Sequence, residues 1–179
     1  MVAESSSSSL GWLWLVPAAP LFAFAIIGIV TRPWRRLSAA VSLVAISISF
    51  MFSLGAFFSQ LRLGAGASAV TRVSWFTTGT MSPSVGLLLD PLSAIMLVVI
   101  TTVGLMVQVY SLGYMAGEKG LSRYYAYLSL FCASMLGLVL SDNLLQLFVC
   151  WELVGVCSYL LIGFWYDRVG PAFAAKKAF

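Results

Sequence analysis

Five stretches of this chain stay apolar for about twenty positions each, and no other property narrows its possible folds as far. They cover residues 10–30, 38–58, 91–112, 124–140 and 143–166. A helix rises about 1.5 Å per residue and the hydrocarbon layer is about 30 Å thick, so roughly 20 apolar residues suffice to cross it. Composition agrees: 61% of the 179 residues are hydrophobic and 9% are charged, against about 25% charged in soluble domains. The expected fold is all-α: a polytopic transmembrane bundle of about five complete spans. A sixth helix opens at 172–179, and eight residues are too few to cross a bilayer, which is expected of a truncated chain.

The polar segments between the runs organise the rest. MVAESSSSS, residues 1–9, is expected to be a disordered lead-in. With Glu4 and no basic residue ahead of it, the first run does not resemble a cleaved signal peptide. It is read as a retained span, since membrane helices tolerate residues such as Pro17 and Pro20. The long loop at 59–86 sets VSWFTT (73–78) before the turn-like Thr78-Gly79-Thr80. β-branched and aromatic residues beside a glycine turn predict a small surface β-hairpin around 70–84. Asp90-Pro91 then supplies an N-cap and a first-turn proline for the third run. Asp142, in the short turn before the fifth run, is expected to cap that helix.

Eight of the ten basic residues (Arg32, Arg35, Arg36, Lys119, Arg123, Arg168, Lys176 and Lys177) follow the first, third and fifth runs, and only Arg62 and Arg72 follow the second. By the bias of Lys and Arg toward cytoplasmic loops, this puts the N-terminus on the outer side. Spread in this way, the basic residues make no phosphate-tracking surface, so nucleic acid is not an expected partner. The chain has no histidine, and Cys132, Cys150 and Cys157 all lie in apolar runs without metal-ligand spacing. No metal site, cofactor motif or catalytic nucleophile is therefore expected, and the cysteines are expected as buried thiols.

Glu152 stands apart. It lies near the middle of the fifth run, too deep for its short side chain to reach water, and an ionised carboxylate there costs several kcal/mol unless paired, hydrated or protonated. A proton or ion relay group is the functional reading. Gly155, Val156 and Tyr159 fall on the same helical face, where Tyr159 and Ser158 offer hydroxyls; Gly155 and Ser158 suit close helix packing. Lys177, one residue further into the sixth helix than Lys176, is expected to turn toward the bundle, while Lys176 anchors at the surface.

The stretch SDNLLQLFVCWELVGVCSYLLIGFW (141–165) resembles the fifth-helix signature of the largest antiporter-like membrane subunit of complex I. That family comprises NADH dehydrogenase subunit 5 of mitochondria and its counterparts in the bacterial, plastid and cyanobacterial enzymes. GLLLDPLSAIMLVVITTVGLMVQVYS (86–111) and SRYYAYLSLFCASMLGLVLSDN (122–143) are similar to its third and fourth helices, and KKAF (176–179) to the start of its sixth. Residues 1–85 match in layout only. The resemblance divides the chain into the lead-in at 1–9, two spans with the hairpin loop at 10–85, and a truncated antiporter-like core at 86–179. It implies a proton-pumping subunit of an NADH- or ferredoxin-driven quinone oxidoreductase, in a bacterial inner membrane or else a thylakoid or mitochondrial one. Its partners would be lipid and the complex's other membrane subunits, with FMN, iron–sulfur clusters and quinone held elsewhere in the complex. It further implies that Glu152 pairs with a lysine on the seventh helix, beyond residue 179. The alternative is the large subunit of a multi-subunit cation/proton antiporter or a related inorganic-carbon uptake system. ELVGVCSYLLIGF is closer to the complex I pattern than to the antiporter one.

Overall fold

The computed structural model describes residues 11–63, 68–74, 84–118 and 120–178. The expected lead-in lies outside them. A tight 3-10 turn, Gly11–Trp14, leads into α1 (Leu15–Ile26), which ends in a wide π turn, Ile27–Thr31. There follow α2 (Arg35–Leu63), β1 (Ala69–Ser74), β2 (Ser84–Leu89), α3 (Pro91–Tyr114), α4 (Leu121–Val139), α5 (Leu144–Ile162) and α6 (Val169–Ala178). The molecule is an all-α bundle carrying one small antiparallel hairpin.

Among the described residues, four helical segments are long and apolar enough to cross a membrane: Gly11–Thr31, Arg35–Arg62, Pro91–Tyr114 and Leu144–Ile162. The fourth expected span, α4, is not among them. The reason lies in its position, since α4 packs against α1, α2, α3 and α5 at once. It buries Ser122, Tyr125, Ser129, Cys132 and Ser134 along with its aliphatic residues. A helix screened from lipid by its neighbours does not need an apolar surface.

The expected hairpin is present, with its second strand running on to Leu89. β1 and β2 pair from Ala69↔Leu89 to Ser74↔Ser84, so Val73 and Ser74 of the VSWFTT run are in the ladder, and the rest of that run and the expected turn at 78–80 lie outside the described residues. GLLL (86–89) is strand, not an approach to the third helix. Its alternation explains why: Leu87 and Leu89 are both 1% exposed and pack into a cluster with Leu13, Val16, Leu97, Leu136 and Leu140. The hairpin thus plugs one end of the bundle. At the opposite end Ile27, Ala39, Tyr125 and Ala126 form a second cluster.

Between the clusters a polar seam ties α2, α3 and α4 together. Ser42 lies 2.9 Å from Gln108 Oε1, to which it donates, and 2.7 Å from the Ser129 hydroxyl, while Tyr125 donates to the Gln108 carbonyl at 3.1 Å. These four side chains are almost wholly buried. In hydrocarbon such bonds link helices that have no hydrophobic drive to associate.

Candidate functional site: the uncovered face of α5

Asn143 caps α5, its side chain accepting from the Gln146 N–H at 2.8 Å. Asp142, expected in that role, does something else. Its carboxylate is 2.5 Å from Arg72 Nε of β1, the one ion pair among the described residues, and accepts from Asn143 Nδ2. Asn143 also donates to the Ser84 carbonyl, Gln146 accepts from the Gly86 N–H, and the Leu88 N–H reaches the Leu140 carbonyl. The α4–α5 turn is therefore welded to the hairpin. Extended backbone suits an N-cap, and Asn143 (φ −143°, ψ 156°) has it; the residue before it is left free to aim its carboxylate at the strand. Asp90 caps α3 in a reciprocal box: its carboxylate accepts from the Ser93 N–H at 2.6 Å, and Ser93 Oγ accepts from the Asp90 N–H at 2.8 Å.

From that fixed end α5 runs nineteen residues, with Glu152 the ninth, about 12 Å from one terminus and 15 Å from the other. The helix is shorter than the expected 143–166. It stops at Gly163, because Phe164 turns inward to 5% exposure, where it meets Tyr124 edge-on and lies beneath the Arg123 guanidinium. A Cβ at Gly163 would lie 3.1 Å from Ala175 Cβ of α6, so the glycine lets α6 come close.

Glu152 points away from the bundle. It is exposed, as are Trp151, Leu153, Gly155, Val156 and Tyr159, and Cys157 is the one fully buried residue of α5. The expected packing role of Gly155 is not seen among the described residues, since a Cβ there would meet nothing within 4 Å. Ser158 donates back to the Val154 carbonyl at 2.9 Å rather than toward Glu152. Lys177 is exposed and does not turn into the bundle; the inward residue of α6 is Ala175, 2% exposed. Tyr159 instead shares a cavity of about 220 Å³ with Lys176, Tyr127 and Arg123. No ion pair among the described residues reaches Glu152, Lys176 or Lys177.

Buried Gln108 and its partners Ser42, Ser129 and Tyr125 were not legible as a group. The recurrence of serine at 38, 42, 49 and 53 was the available signal, because it places one polar stripe along α2.

Fold and site together define a class: a polytopic helical membrane protein with a carboxylate at mid-helix on an uncovered apolar face. Comparison with known proteins narrows it. The complex I chain 5 N-terminus family of NADH–ubiquinone oxidoreductase matches residues 75–125, and the transmembrane family shared by NADH:quinone oxidoreductase and Mrp antiporters matches 141–179. Both stretches belong to this antiporter-like membrane-subunit family. It is 43% identical to NAD(P)H-quinone oxidoreductase chain 5 of a Synechocystis strain, over 93% of this chain and 25% of the relative. It is 46% identical to that of a Picosynechococcus strain, over 94% and 26%. With the chloroplastic subunit 5 of Physcomitrium patens it shares 44% over 94% and 24%. The chain thus spans about a quarter of the length of the curated relatives it matches. Its fold matches a subunit of the archaeal membrane-bound sulfane sulfur reductase (TM-score 0.75, 18% identity, 93% of this chain and 33% of that one). It also matches a subunit of the Mrp complex of a Dietzia species (TM-score 0.65, 29% identity, 84% and 16%).

Proposed function

We propose that this chain forms part of a membrane subunit of a redox-driven, proton-translocating quinone oxidoreductase, with Glu152 as a proton-carrying group. The observation that supports the proposal is the placement of Glu152, at mid-helix on a face of α5 that none of the described residues covers. A carboxylate facing lipid tails is costly, and further helices laid on that face would give it a partner and water. A mobile basic partner that approaches and leaves this carboxylate would let it give up and take back a proton. Tyr159, seven residues on, and the lysine pair of α6, with Lys177 beside Lys176, continue the polar path toward the end where the basic loops gather. Electron carriers would sit in other subunits, with NADH or ferredoxin as donor and FMN, iron–sulfur clusters and quinone as carriers. The subunit's partners would be lipid and the complex's other membrane subunits. The basic loops would face the cytoplasm, stroma or matrix, with the N-terminus on the outer side.

A second reading, the large subunit of a cation/proton antiporter, draws support from the Mrp likeness. The two readings separate in one experiment. The protein is purified with its native partners through a tag and reconstituted into vesicles. The redox reading predicts quinone reduction coupled to proton uptake. Sodium-driven proton exchange with no quinone reductase activity would overturn it.

A further inference from the structure

At the end of the bundle opposite the hairpin, three connections meet around a cavity of about 690 Å³: the α1–α2 turn (Arg32, Arg35), the α3–α4 loop (Glu118, Gly120) and the α5–α6 turn (Phe164, Trp165, Asp167). The volume is many times the ~30 Å³ share of one water in the liquid, and three guanidiniums line it: Arg32, Arg35 and Arg123.

Several hydrogen-bond donors in this wall have no partner among the described residues. Ser122, 6% exposed and in the first turn of α4, has a buried hydroxyl with no hydrogen bond, and so do Arg123 Nε and Trp165 Nε1. Buried polar atoms are nearly always bonded, so three in one wall call for an acceptor from outside the chain. The Arg123 guanidinium is held ready, lying 5.2 Å from the Phe164 ring centroid and 5.0 Å from that of Tyr166, with Nη2 donating to the Phe164 carbonyl at 3.3 Å. The amino end of the nineteen-residue α4 also opens here, capped by Gly120 with no side-chain hydrogen bond. Its orphan N–H groups and dipole favour an anion. Glu118 and Asp167 are the acidic members of the lining, and among the described residues neither is ion-paired to the arginines.

We propose that this cavity binds a phosphate group. Ser122 and Arg123 would bond its oxygens while Arg32 and Arg35 supply charge, and the carboxylates are placed for hydroxyls of whatever carries the phosphate. The site lies at the level of the helix ends, where a bilayer presents its headgroups, and basic pockets between membrane helices suit anionic lipid heads. The same chemistry would accept free phosphate.

The test uses the intact, assembled complex after detergent removal of its lipid. Three probes are compared: dioleoyl phosphatidylglycerol, inorganic phosphate and dioleoylglycerol, which lacks the phosphate. Phosphatidylglycerol is expected to bind and dioleoylglycerol to bind poorly. Ser122→Ala should weaken binding by about tenfold, the loss of one bond to a charged acceptor. Arg32→Gln and Arg35→Gln should each weaken it by about fivefold. Both arginines are exposed, so these two variants are expected to assemble normally even where Ser122→Ala does not. Binding of phosphatidylglycerol that phosphate does not displace assigns the site to lipid. Binding of phosphate alone, lost in the same variants, assigns it to the free anion. Equal binding of dioleoylglycerol and phosphatidylglycerol, or unchanged binding in the arginine variants, overturns the proposal.

Discussion

A carboxylate at the centre of a nineteen-residue apolar helix is a different object from one at its end. Asp90 and Asp142, at helix starts, are held by a backbone N–H or a guanidinium, whereas among the described residues no ion pair reaches Glu152. Depth could be read from the sequence, because counting residues along an apolar run needs no tertiary knowledge. Direction could not: whether Glu152 faces the bundle or leaves it depends on which side of α5 packs on α4. Asp142 shows the same limit. Local chemistry makes Asp142 and Asn143 nearly equal as caps, and what separates them is Arg72, seventy residues earlier, which claims the aspartate. Gly86 belongs to this corner as well. A Cβ there would collide with the Asp142 carboxyl, so Gly86→Ala is expected to cost about 1–3 kcal/mol, as overpacking usually does. A drop in the thermal midpoint of the assembled complex checks this, with Gly55→Ala as the comparison, since a Cβ at Gly55 meets nothing within 4 Å.

Whole elements were legible wherever lipid alone dictates the pattern. The spans of α1, α2, α3 and α5 follow from apolar length. α4 and the hairpin obey tertiary neighbours instead. α4 keeps serines and tyrosines because protein surrounds it, and β2 uses an apolar run of four as a plug because its alternate leucines close the end of the bundle. The hairpin contacts make Asn143 more than a cap. Asn143→Ala is expected to lose about 1 kcal/mol of helix capping together with the bond to the Ser84 carbonyl. Hydrogen exchange in β2 should rise along with that in the first turn of α5. Faster exchange in α5 alone would mean that the hairpin is held independently of Asn143.

For the whole molecule, both ends of the bundle have chemistry of their own. One is closed by the hairpin and the Arg72–Asp142 pair, and the other gathers arginines around a cavity. Single cysteines replacing Arg62 and Arg168, in a background lacking Cys132, Cys150 and Cys157, test the proposed orientation. A membrane-impermeant thiol reagent is expected to label position 62 from outside intact cells and position 168 only in inverted vesicles; the reverse pattern would turn the molecule over. The central claim is that the uncovered face of α5 carries protons through Glu152, and the most direct test is the proton-to-electron ratio of the assembled complex with Glu152→Gln. Glutamine keeps the shape and cannot ionise, so assembly should be near wild type and pumping per electron should fall by at least about tenfold, the scale of losing a positioned proton-transfer group. A variant that assembles and pumps at the wild-type ratio would contradict the account.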